Sequence, residues 1–318
     1  VSVNGAIPAP GQGARPGAGA MREDQAARLR KLVAEVRAGK AGARITDSLV
    51  PTRVVAITSG KGGVGKTSVT INLALALAQR KQRVAILDAD LGLANVDIAM
   101  GLLPRFNLMH VITGEKTLEE IIVEGPLGVA VIASGSGIRE LANLADGDRG
   151  RLLASLEGLK AKYDFLLIDT SAGLGRNVLG FVLAADEIIV VTTPEPTALL
   201  DAYSMVKVVF QENKDAQIKL VVNMVRDEAE AREVADKMAI LVHRFLGAVV
   251  EPAAWIPRDN AVGEAIREQT PLLMLYPNSA ATRCIQALAG RLASGRAQGA
   301  KSDLRGFFSR VMDLIRRK

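Results

Sequence analysis

A doubly wound α/β fold, with a mostly parallel sheet flanked by helices on both faces, is what this sequence predicts. Three observations predict it. Apolar runs of strand length alternate with amphipathic runs of helix length across residues 53 to about 291, which is how a parallel sheet covered by helices is written. The first of these runs, Arg53-Val54-Val55-Ala56-Ile57-Thr58, leads through a glycine-rich loop into a helical pattern over residues 68–79. Two later runs end in aspartate. At 318 residues the chain is long enough for one large domain with tails and a sizeable core.

The loop is Gly60-Lys61-Gly62-Gly63-Val64-Gly65-Lys66-Thr67, followed by Ser68. It fits the phosphate-loop pattern G-x-x-x-x-G-K-[ST] and has the strand–loop–helix context that the pattern needs, so the fold is that of a P-loop NTPase. Glycines let backbone N–H groups turn toward phosphate oxygens, and the helix N-terminus adds partial positive charge. Lys66 is expected at the β- and γ-phosphates and the Thr67 hydroxyl at Mg²⁺. Gly60, Gly62 and Gly65 also spell G-x-G-x-x-G, with Asp88 ending a strand about 20 residues on, as a dinucleotide fold would have it. That reading gives Lys66-Thr67 no task, and the phosphate loop is preferred.

The second run, Arg83-Val84-Ala85-Ile86-Leu87-Asp88-Ala89-Asp90, ends in two carboxylates. Another, Tyr163-Asp164-Phe165-Leu166-Leu167-Ile168-Asp169-Thr170, ends in one, with Gly173 close behind. A lone strand-end aspartate most simply caps the next helix. Two beside a phosphate loop, Asp90 and Asp169, can instead hold Mg²⁺ and orient a bound water.

These residues resemble the deviant Walker A ATPases, which include MinD, ParA, the nitrogenase iron protein and flagellar FlhG (also called FleN). The match lies in the doubled-lysine loop from Lys61 to Thr67, the Asp88-x-Asp90-x-Gly92 switch and the Asp169-Thr170-x-x-Gly173 switch, within residues 53 to about 290. The resemblance implies an ATPase that forms an ATP-bound homodimer. It assigns Lys61 to the partner's nucleotide, Lys66 to the phosphates, Asp90 to the attacking water and Asp169 to the Mg²⁺ shell. It further implies that Asn223, after the strand at residues 218–222, and Pro257-Arg258, after the strand at residues 248–256, surround the adenine. Read from the residues alone, Asn223 and Pro257 are turn and loop residues. MinD-type sequences usually carry Pro where Ser171 stands, and that departure bears on the second switch.

Composition narrows the relatives. The single cysteine, Cys284, is expected in the core of a helix with Ile285, Leu288 and Leu292; it excludes a disulfide framework and disfavours the iron-protein branch. His110 and His243 are isolated, so no transition-metal site is expected. No apolar stretch is long enough to span a bilayer, and no secretory leader is expected. The net charge is +6, yet residues 1–50 hold eight Lys/Arg against four Asp/Glu, and residues 301–318 hold six against two. The middle is therefore slightly acidic, and direct DNA binding of the ParA kind is not expected.

The tails carry the remaining signals. Residues 1–20 are rich in Gly, Pro and Ala and are expected to be disordered, with Met21 a natural start. Residues 21–40 are expected to form a helix through Asp24, Gln25, Leu29 and Arg30, followed by a linker over 41–52. As a peptide this is an ordinary short charged helix. It resembles the activator helix with which FlhG stimulates the GTPase FlhF, and the segments Thr193-Pro194-Glu195-Pro196-Thr197 and Asp201-Ala202-Tyr203 also resemble FlhG. After the ATPase domain, residues 53–292, comes a Gly/Ala/Ser tether at 293–300. In the last segment, 301–318, Leu304, Phe307, Phe308, Val311, Leu314 and Ile315 share one helical arc of about 120°. Arginines oppose them. Such a helix suits an anionic membrane surface; a helix packed on its own core has the same pattern. The expectation is an FlhG-type ATPase. It would be cytoplasmic, bound peripherally to the inner membrane when ATP-loaded, and engaged with FlhF and with flagellar basal-body proteins or a flagellar transcription activator. The alternatives are a MinD-type division-site regulator and a ParA-type partitioning ATPase.

Overall fold

The computed structural model describes residues 52–90, 95–135, 137–141, 144–156, 162–295 and 304–316. The activator-like helix at 21–40 and the linker to 51 lie outside the described residues. The strands are β1 (Arg53–Thr58), β2 (Val84–Ala89), β3 (Ile122–Glu124), β4 (Ala130–Ala133), β5 (Phe165–Thr170), β6 (Glu187–Thr192), β7 (Ile218–Val225) and β8 (Glu251–Pro257). They form one sheet in the order β3-β4-β2-β5-β1-β6-β7-β8. Every neighbouring pair is parallel except β3 with β4. The longer helices are α1 (Lys66–Gln79), α2 (Asp146–Ser155), α3 (Arg176–Ala184), α4 (Pro196–Glu212), α5 (Glu228–Leu246), α6 (Asn260–Arg267), α7 (Ala280–Ser294) and α8 (Leu304–Arg316).

Alternation along β1 explains the layers. Val54 and Ala56 join the core under α3, α4 and α5, while Val55 and Ile57 join the core under α1 and α7. A strand buried on both faces has no polar side to show, so its sequence reads as one apolar run. Helix α1 is buried almost continuously from Val69 to Leu77, since α7 covers the side that the sheet leaves open. The register sets Asp88 of β2 beside Asp169 of β5 and Ile57 of β1 on the other side of Asp169. That alignment gathers three strand ends at one point.

Three details differ from expectation. Helix α7 runs on through Ser294, so Ala293 and Ser294 belong to it rather than to the tether. Cys284 is half-buried at the edge of the core, while Ile285, Leu288 and Leu292 are fully inside. The third concerns α8, whose apolar arc is seated on protein. Leu304, Phe307, Phe308, Val311, Met312 and Ile315 are all buried, with Leu314 half-buried, and the helix lies along α3. Arg310 donates to the Ala184 carbonyl at the end of α3, 2.9 Å away, and Arg149 pairs with Asp313 at 2.7 Å. Gly180 allows the approach, because a Cβ there would lie 2.5 Å from Ile315 Cγ1. Six buried apolar side chains contribute on the order of 10 kcal/mol before ordering costs. The amphipathic pattern was read correctly; in this state protein covers it.

Candidate active site

The phosphate loop is braced from β7. Gly65 sits at φ +90° as the N-cap of α1, a conformation L side chains avoid, and an added Cβ would lie 2.4 Å from Asn223 Nδ2. Asn223 uses that closeness: its amide donates to the Val64 carbonyl at 2.8 Å and its oxygen accepts from the Met224 N–H at 2.9 Å. The residue expected at the adenine is thus a brace for the loop here, and it still borders the cleft. It does not end a strand, since β7 continues to Val225 past an irregularity at Met224, φ +60°. Gly60 packs on the Asp201 backbone and Val64 is buried, so both shape the loop from behind.

Above the loop lies a cleft of about 550 Å³. It brings together Gly62, Gly63, Gly65, Lys66, Thr67 and Ser68 with Asp90, Asn223, Pro257 and Arg258. Pro257 is the last residue of β8 rather than a loop residue. Met224, Val262 and Ile266 add an apolar wall that the sequence reading missed; the apolar face of α6 was its only local signal. A cleft with one cationic, glycine-rich end and one apolar end suits a nucleotide.

Electrostatics concentrate beneath Thr67. Its hydroxyl donates to Asp169 Oδ2 at 2.7 Å, and Thr70 donates to Asp169 Oδ1 at 3.0 Å. Asp169 is 1% exposed, and burial pushes its carboxyl up to about 7, with the neighbouring Asp88 adding to the rise and the two threonine hydroxyls opposing it. Burial lowers the Lys66 ammonium from its usual range, against the pull of Asp169 and Asp90. Because Thr67 gives its proton to Asp169, its oxygen lone pairs remain for the cleft side. Thr67 is therefore fitted to ligate a hard cation such as Mg²⁺, with Asp169 behind it.

Asp88, which the sequence placed in the first switch motif without a separate task, organises that switch. Its carboxylate accepts from the N–H groups of Asp90 at 3.0 Å, Asn95 at 3.0 Å and Val96 at 3.2 Å, and burial raises its pKa. Asp90 in turn accepts from Ser171 Oγ at 2.8 Å. Lys61 alone among the expected catalytic residues points elsewhere. Its ammonium lies 2.7 Å from Glu195, the N-cap of α4, and 3.1 Å from Thr197 in that helix's first turn. The sequence had singled out Glu195 without giving it a task.

Comparisons with known proteins agree with this geometry. A family model described as an AAA domain matches residues 52–222. The chain is 37% identical to the antiactivator FleN of Pseudomonas aeruginosa, over 78% of this chain and 88% of that protein. It is 34% identical to the flagellum site-determining protein YlxH of Helicobacter pylori, over 83% and 91%. Among solved structures, a chain of the MinC:MinD cell division protein complex of Aquifex aeolicus matches with a TM-score of 0.62 at 26% identity, covering 77% of this chain and 96% of that one. MinD of Pyrococcus horikoshii with Mg-ADP matches with a TM-score of 0.62 at 28% identity, covering 76% and 96%. With the loop, the two strand-end aspartates and the cleft in place, the chain belongs to the MinD-like P-loop ATPases, in the FleN/FlhG family.

Proposed function

We propose that this ATPase is a regulator of flagellar number and placement whose Mg²⁺-dependent hydrolysis of ATP switches it between a monomer and a membrane-bound homodimer. The observation that carries the ATP site is the line Asp169–Thr67 beneath a cleft that also holds Lys66 and Asp90. The flagellar assignment is supported by the likeness to FleN and to the flagellum site-determining protein.

Each residue has a task in this reading. Loop N–H groups and Lys66 bind the phosphates, and Thr67, held by Asp169, takes the metal. Bound Mg²⁺ would supply positive charge against the phosphate charge that develops during transfer. Asp90 orients the water that attacks the γ-phosphate, and Lys61 reaches into the partner's site, which makes turnover conditional on pairing. Pro257, Arg258 and the apolar wall enclose the base, while Asn223 keeps the loop rigid. For Lys61 to act across an interface it must first leave Glu195.

Membrane attachment adds a second exchange. The arc of Phe307, Phe308, Val311, Leu314 and Ile315 serves either the core or a lipid surface, never both, so attachment requires α8 to leave α3. Two released helices on one dimer would bind far more tightly than one. The helix expected at residues 21–40 would engage FlhF through Asp24, Gln25, Leu29 and Arg30. The test is sedimentation with anionic liposomes and ATP or ADP, with phosphate release followed with and without Mg²⁺ and an FlhF homologue. ATP-dependent co-sedimentation and stimulation of the FlhF GTPase are expected. A protein that stays monomeric and off the vesicles at saturating Mg-ATP rules the reading out.

A further inference from the structure

The loop after β5 carries a hydroxyl for which the reading above has no task. Ser171 Oγ meets Asp90 Oδ1 at 2.8 Å across 81 residues of sequence. Both ends of this hydrogen bond are anchored. On the donor side, Thr170 Oγ1 donates to the Ile57 carbonyl and the Gly173 N–H donates to the Ser59 carbonyl, each at 3.0 Å. These bonds tie the loop to the end of β1 on either side of Ser171. On the acceptor side, the Asp90 N–H donates to the buried Asp88 carboxylate at 3.0 Å. A hydroxyl on one fixed backbone is thus presented to a carboxylate on another. Ser171 is only half-buried, so water could have satisfied its hydroxyl, and the loop is pinned by other groups.

We propose that Ser171 is a positioning residue for ATP hydrolysis, which holds the Asp90 carboxylate in the orientation that receives the attacking water. The inference rests on Asp90 being the water-orienting group of the function proposed above. An aspartate χ1 has three staggered wells and a broad χ2, so an unrestrained carboxylate presents its oxygens correctly only part of the time. A hydrogen bond to an ionised acceptor is strong enough to select one well. A carboxylate has about four acceptor positions, so a hydroxyl and a water can share it. Since rate falls steeply with misplacement of reacting groups, the restraint acts on turnover. The phosphates are gripped by the loop, Lys66 and Thr67, so nucleotide affinity does not depend on it. A proline, as MinD-type sequences usually carry at this position, could make no such bond.

The experiment compares the full chain with Ser171→Ala, Ser171→Thr, Asp90→Ala and the Ser171→Ala/Asp90→Ala double variant. Steady-state phosphate release with Mg-ATP gives kcat and KM, and titration with a fluorescent ATP analogue gives affinity. Ser171→Ala is expected to lower kcat roughly tenfold while KM and affinity stay within about twofold. Ser171→Thr, which keeps the hydroxyl, is expected to restore most of the rate. The double variant should be no slower than Asp90→Ala alone, because the serine acts only through that carboxylate. Wild-type kcat in Ser171→Ala beside an inactive Asp90→Ala overturns the positioning role and leaves the proposed function standing. A further loss in the double variant also overturns it. Wild-type turnover in Asp90→Ala instead removes the reading on which the inference rests.

Discussion

Lys61 and Glu195 of the same chain are held together at 2.7 Å, and the ammonium also donates to Thr197 Oγ1 at 3.1 Å. The pair joins the phosphate loop to the start of α4, and the lysine lowers the pKa of Glu195 by donating to it. Both side chains are well exposed, so the contact is easily exchanged for another anion. In a cycle where Lys61 must reach a partner's phosphates, Glu195 is the competitor that keeps it at home.

Removing the competitor should therefore favour pairing. Glu195→Gln is expected to lower the protein concentration at which ATP produces dimers by a few-fold, since a competing monomer contact reduces the population able to associate. Sedimentation velocity across a protein dilution series measures this. An unchanged monomer–dimer midpoint would show that the contact does not compete with dimerisation. Lys61→Ala should bind nucleotide normally yet lose the rise in specific activity with protein concentration.

Asp90→Ala should separate binding from turnover. Loss of a group that orients the attacking water costs about 10²–10⁴-fold in rate, whereas the loop, Lys66 and Thr67 continue to hold the nucleotide. The variant is expected to accumulate as an ATP-bound dimer, seen by size-exclusion chromatography with bound-nucleotide analysis. Rapid conversion of that nucleotide to ADP would exclude Asp90 from the chemistry.

Asp169 gives the protein a pH dependence of definite sign. Its folded pKa of about 7 lies above the ordinary value of 3.8, so between these limits the folded protein binds more protons than the unfolded chain. Stability without ligand should then fall as pH rises through that window, by at most about 1.4 kcal/mol per unit from this group. Mg-ATP needs the carboxylate ionised, so its affinity should rise over the same window, with proton release on binding. Calorimetry in buffers of different ionisation enthalpy checks the proton, and Asp169→Asn should flatten the pH dependence of the ligand-free melting temperature. A stability slope that survives in Asp169→Asn would assign it to another group.

How much of this could be read in the sequence depends on how far apart the partners lie. The strands and the loop from Gly60 to Thr67 were legible because their signals are local. The runs are apolar throughout because both faces of the sheet are covered, and Lys66-Thr67 follows directly on the turn that needs them. Asp90 and Asp169 were legible as a pair because each closes a strand. The contacts that tune the site were not. Lys61 meets Glu195 across 134 residues, and Asn223 meets Val64 across 159, distances bridged only by the strand order and its register. The fate of α8 was illegible for another reason. An apolar arc of Phe307, Val311 and Ile315 presents the same pattern to lipid and to a groove of matching shape, and Gly180, which completes the groove, sits in a different helix.

That groove supplies the most direct test of the membrane reading. A side chain at Gly180 must displace Ile315, and the Val311 carbonyl is only 3.4 Å from where its Cβ would be. Overpacking of this kind costs roughly 1–3 kcal/mol, which is opposed here by relief on undocking α8 rather than by repacking of the sheet. Gly180→Val should therefore expose α8 to limited proteolysis and raise binding to anionic liposomes without ATP by several-fold. Phe307→Asp should also undock the helix, yet it should abolish liposome binding, because an ionised carboxylate replaces the ring that enters the acyl boundary. The two variants share a loosened helix and differ in its apolar face, so their opposite behaviour separates release from attachment. If each variant binds liposomes as the unaltered protein does, both with and without ATP, α8 is a structural helix and the membrane contact lies elsewhere.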